Sequence, residues 1–133
     1  MLNRYMAKRR IPVTDGLAAV SALRAGTEAE RAGASARENP TLATAVRFLL
    51  EDLAERQPGN SVEVRVPLFG AVQCVAGPDH RRGTPPNVVE MSAQTWLALA
   101  LGEESVEAAL ADGRLLASGT RALEFANVLP LVR

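Results

Sequence analysis

Two side chains that occur once each could do nucleophilic or metal chemistry: the cysteine Cys74 and the histidine His80. A thiol becomes a nucleophile when a neighbouring imidazole takes its proton, and a third group usually orients that imidazole. Here Cys74 sits inside AVQCVA, an apolar strand-like run where a thiol packs as an inert small group. His80 lies beyond Gly77-Pro78, among Asp79, Arg81 and Arg82, and reads as a surface residue. A zinc site needs three or four ligands, which Cys74 and His80 cannot supply. Ser118 lacks the glycine pattern of a nucleophile elbow, and neither a Walker loop nor a dinucleotide fingerprint occurs. Glu103-Glu104 stands at a helix start, where the helix dipole favours carboxylates. The expectation is no catalytic residue, no metal, no cofactor and no enzyme.

The elements around these residues are plain in the pattern. DGLAAVSALRA (15–25) reads as a helix, followed by a stretch that is weakly helical or loop. Asn39 and Pro40 open a firmer helix, with Leu42, Val46, Leu49, Leu50 and Leu53 on one stripe. Phe48 falls off that stripe beside Thr44, Glu51, Asp52 and Glu55, which suggests an exposed ring, either incidental or a partner surface or lid. Val62, Val64 and Val66 alternate with Glu63 and Arg65 in a half-buried strand. Residues 71–76 complete a hairpin that sets Val72 and Cys74 against those valines, and residues 87–91 form a further strand. Ser92 caps a helix carrying Trp96, Leu97, Leu99 and Ala100, closed by Gly102. A short helix (103–112), a strand (114–119) and a closing amphipathic helix (121–129) with Leu123, Ala126 and Leu129 follow. The fold class is α+β: a mostly antiparallel sheet of four to five strands with helices packed on one face.

Length and composition bound the function. The 133 residues suit a single domain spanning 1–133, 47% hydrophobic and 23% charged. Fifteen basic residues balance fifteen acidic ones and aromatics are 4%, so nucleic acid is not expected as a partner. A single cysteine fits a cytoplasmic setting, and no apolar run reaches the ~20 residues that stable membrane insertion needs. Residues 1–14 read as a flexible arm, with Met6 a second possible start. Its cluster of Arg4, Lys8, Arg9 and Arg10 is either solvated or in touch with anionic headgroups.

The run NVVEMSAQTWLALALGEESVEAALADGRLLASGTRALEFANVL resembles the C-terminal half of the sterol-carrier-like (nonspecific lipid-transfer) domain family. Trp96, Leu97, Leu99, Gly102, Gly113, Leu115, Gly119, Leu123 and Leu129 match its apolar and glycine positions, and SVEVRVP with GAVQCVAG matches its first hairpin. The likeness covers about residues 41–130, and the RGTPPNVVE form is similar to small stand-alone actinobacterial members. It implies a tunnel between sheet and helices that binds sterols, fatty acids or acyl-CoA esters without covalent chemistry. Val72, Met91, Trp96, Leu99, Leu123, Phe125 and Leu129 would be its ligand-binding residues. Arg81 and Arg82 would be exposed, meeting a headgroup or an acidic partner or simply solvated. Where the family's third strand should run, PDHRRGTPP carries prolines that cannot join a central ladder, so that strand is shortened or replaced by a loop. The resemblance leaves a second class open: an accessory interaction domain, since such domains are also fused to mycothiol-dependent isomerases and acetyltransferases. A monomer or weak homodimer is expected.

Overall fold

The computed structural model describes residues 10–77 and 86–132. In chain order they form α1 (Val13–Ala25), α2 (Pro40–Arg56), β1 (Val62–Val66), β2 (Gly70–Cys74) and β3 (Asn87–Met91). Then come α3 (Ala93–Ala100), α4 (Val106–Ala111), β4 (Leu115–Ser118) and a 3₁₀ helix (Ala122–Val128). The strands make one sheet in the order β2-β1-β3-β4. The pairs β1–β2 and β3–β4 are antiparallel, and β1–β3 is parallel. The α+β class holds, with one parallel pair in a mostly antiparallel sheet.

Local chemistry explains the elements. Asn39 Oδ1 accepts from the Leu42 amide at 3.0 Å, and Pro40 occupies the first helical position, so α2 starts where its free amides are answered. Ser92 and Ser105 do the same for α3 and α4. The apolar stripe of α2 is buried as its spacing required. On β1 every valine is fully buried while Glu63 and Arg65 are partly exposed and paired with each other at 2.6 Å. Val62 lies opposite Cys74 and Val64 opposite Val72, the hairpin register that alternation implied. Buried Asn87 ties the sheet to its surroundings: its Nδ2 donates to the Ser61 carbonyl at 2.8 Å, and its Oδ1 accepts from the Arg121 amide at 2.9 Å.

Three expectations need correction. Phe48 is buried rather than exposed, because α1 crosses α2 there and offers no side chain at Gly16. A Cβ placed on Gly16 would collide with the Phe48 ring, so the glycine is what makes room for the ring. The short helix begins at Val106, with Ser105 as its cap, not at Glu103. The closing helix is 3₁₀, with three residues per turn, so Ala122 and Phe125 face the core and Leu123 is left 42% exposed. The stretch 27–39 contains turns and no helix. The expected loss of a third strand, and with it His80, Arg81 and Arg82, falls on residues 78–85, outside the described residues.

Candidate functional site

The seven residues expected to line a cavity fall in three places. Trp96 and Phe125 are fully enclosed, and Met91 is 3% exposed, all within the main core. The Trp96 indole N–H donates to the Val46 carbonyl at 3.3 Å, which fixes the ring against α2. Val72 is half-buried on β2, at one edge of the sheet. Leu99, Leu123 and Leu129 instead converge on one groove of about 600 Å³, joined by Val106, Ala126 and Pro130. That size is in the range of small-molecule sites.

The groove follows from how α3 ends. Leu101 and Gly102 turn the chain out of the helix, with Gly102 at φ 74°, a left-handed conformation that favours glycine. The turn leads into α4, which forms one wall. The opposite wall is the outer row of the 3₁₀ helix and the segment beyond it. The Ala100 carbonyl holds that segment in place by accepting from the amides of Leu131 and Val132 at 2.9 and 3.2 Å. Arg56 adds a bond to the Leu131 carbonyl at 3.0 Å.

The rim is acidic. Glu103, Glu104 and Glu107 all line the groove, with Ser105 and Asn127 as neutral polar groups. Arg31 pairs with Glu103 at 2.6 Å, and its hydrogen bonds hold that carboxyl below the usual carboxylate range. Arg31 also donates to the carbonyls of Leu23 and Arg24, so it staples the end of α1 to this rim. Glu104 is likewise held low by hydrogen bonds from Arg114, which it shares with Asp112. Glu104 and Arg114 also border a smaller hollow of about 310 Å³ with Ser92, Gln94 and Thr95. Sequence reasoning missed Arg31, and it had no signal to use: the residue acts from an irregular stretch across the fold.

The one thiol lies in the core. Cys74 is fully enclosed, and desolvation of the thiolate pushes its pKa up to about 12, so the sulfur stays protonated at neutral pH. Among the described residues no three or more of His, Cys, Asp and Glu gather where they could hold a metal ion. No described helix is long and apolar enough to cross a membrane.

The fold is a four-stranded sheet carrying helices, with a groove of mixed polarity between α4 and the 3₁₀ helix. Residues 38–131 match the family described as "Bacterial SCP ortholog", and the chain belongs to this sterol-carrier-like family. Curated proteins provide no match. At a coarse level membership points to lipid binding or transfer by a domain type that is generally non-catalytic.

Proposed function

We propose that the protein binds the apolar part of a lipid-like ligand, without covalent chemistry, in the groove between the end of α3, α4 and the 3₁₀ helix. The observation that carries this reading is the convergence of Leu99, Leu123 and Leu129, with Val106, Ala126 and Pro130, on one open hollow. Apolar surface left in a concave site gains free energy by excluding water when an apolar ligand enters, about 25 cal/mol per Å² buried. Leu123 is the natural probe because it is partly exposed and outside the packed core. Native mass spectrometry of the protein purified from cytosol should show bound lipid, and Leu123→Ser should lose most of it while keeping its melting temperature. Retention of the same lipid load by that variant would refute the groove as the site.

A second reading is favoured by the packing of the residues meant for a tunnel. Trp96, Phe125 and Met91 fill the interior, and the groove is an open surface feature of the kind that protein partners also use. In that case the protein is an accessory interaction domain, alongside a mycothiol-dependent isomerase or another enzyme, and purifies without lipid.

A further inference from the structure

The turn joining β1 to β2 holds a residue that breaks two local rules at once. Pro67 and Leu68 span this turn, and the Phe69 amide closes it on the Val66 carbonyl at 3.0 Å. Leu68 stands at φ 68°, a left-handed position where such a turn ordinarily carries glycine or asparagine, because a Cβ is crowded there. Its side chain is also 74% exposed, the most open of the large apolar side chains among the described residues. Val75 shares the left-handed backbone at φ 69°, but it is buried in the core, and its amide and carbonyl are bonded to Gln57 and Ser61. The strain at Val75 is offset inside the fold, whereas the Leu68 side chain packs little against its own fold. Backbone strain of this kind persists where an interaction uses it. The turn is held firmly: buried Phe69 anchors it, and Arg47 of α2 donates from Nε to the Phe69 carbonyl at 2.7 Å. Arg47 is exposed. One turn further along α2, the Glu51 carboxylate accepts from the amides of Arg10 and Ile11 at 3.0 and 3.1 Å, which brings a second exposed arginine to this side. We propose that Leu68, with Pro67, is a preformed wedge that enters the interface of an anionic lipid bilayer while Arg47 and Arg10 meet its phosphate groups. A bilayer interface is negative in its outer layer and apolar beneath, which suits an apolar side chain flanked by guanidinium groups. The turn is separate from the residues that line the groove, so this surface brings the protein to a membrane whatever the groove holds.

The test is co-sedimentation of the full-length protein, at low salt, with vesicles of phosphatidylglycerol and phosphatidylcholine in equal parts, against vesicles of phosphatidylcholine alone. The parent protein should partition onto the anionic vesicles and much less onto the neutral ones, and added salt should release it. Leu68→Asn keeps a residue that tolerates the left-handed backbone and removes the apolar wedge. Its partition coefficient should fall about fivefold, as expected for roughly 40 Å² of apolar surface buried at about 25 cal/mol per Å². Its melting temperature should hold or rise, and its lipid load in native mass spectrometry should match the parent's. Leu116→Asn, which changes another exposed leucine on β4, should leave vesicle binding unchanged. Binding by Leu68→Asn equal to the parent's would overturn the proposal, as would a parent that ignores anionic vesicles. A lower melting temperature in Leu68→Asn would show that the leucine serves its own fold, and would sink the idea in the same way. Equal loss of vesicle binding in Leu116→Asn would reduce the effect to general surface hydrophobicity and remove the wedge. Loss of the lipid load in Leu123→Ser with vesicle binding intact bears on the groove alone.

Discussion

The same two helices build a sealed interior and an open groove. On α3, Trp96 is fully enclosed; on the 3₁₀ helix, Phe125 is fully enclosed, while Leu123, two positions earlier, is 42% exposed. Leu99 is itself 2% exposed yet lines the hollow, so it belongs to both regions. The residues differ little in hydrophobicity. What separates them is rotation about a helix axis, and three residues per turn rather than 3.6 decides which row looks inward. Apolar side chains at helical spacing identify a helix that packs, and they leave open which of two adjacent rows does the packing.

That contrast can be broken most sharply at Phe125. Phe125→Ala should cost about 3–5 kcal/mol, because a large enclosed ring leaves a cavity that the surroundings fill only in part. Denaturant unfolding measures this, and a loss no larger than that of Leu123→Ser would show the two rows to be equivalent. The seam between α1 and α2 is a second sealed contact. Gly16→Ala should cost about 1–3 kcal/mol by forcing a methyl group onto the Phe48 ring, read from the shift in melting temperature. On the rim the effects are smaller. Glu103→Gln should cost no more than about 1 kcal/mol near neutral pH, since its partner Arg31 and the carboxylate are both reached by solvent. Arg31 lowers the folded-state pKa of Glu103, so this contribution is present above its ordinary value of 4.5 and is lost as pH falls through the folded value. Stability curves of variant and parent should therefore converge in acid. A gap that widens on acidification would contradict the assigned sign. Leu123→Ser should change stability by less than about 0.5 kcal/mol while losing most of the retained ligand.

Much of the architecture was legible because it is written in local patterns. The valines of β1, the Asn39-Pro40 start of α2, the Ser92 cap and the glycines after α3 and α4 each carry their own reason for being where they are. The parts that were not legible depend on partners distant in sequence. Phe48 looks exposed on the α2 wheel until α1 is laid across it, and only the absence of a side chain at Gly16 permits that crossing. Arg31 sits in a stretch without periodicity, and its ties to Leu23, Arg24 and Glu103 are all tertiary. The candidate groove was half legible. The family pattern singled out Leu99, Leu123 and Leu129, and the same pattern gathered in Trp96 and Phe125, whose burial comes from packing that spacing alone does not specify.

The clasp at Ala100 has a consequence for how such a groove can vary. Its carbonyl receives the amides of Leu131 and Val132, so the two ends of the segment that builds the groove are pinned together. Between them run α4, β4 and the 3₁₀ helix, and β4 is held in the sheet by β3. The turns flanking the short α4 are connections where added residues cost little, since doubling a flexible connection adds only about 0.6 kcal/mol of closure entropy. The short α4 wall can therefore be lengthened, shortened or recharged by mutation while the far wall keeps its place. Evolution is left with a fixed frame and an exchangeable panel, through which ligand preference can drift without the fold being renegotiated.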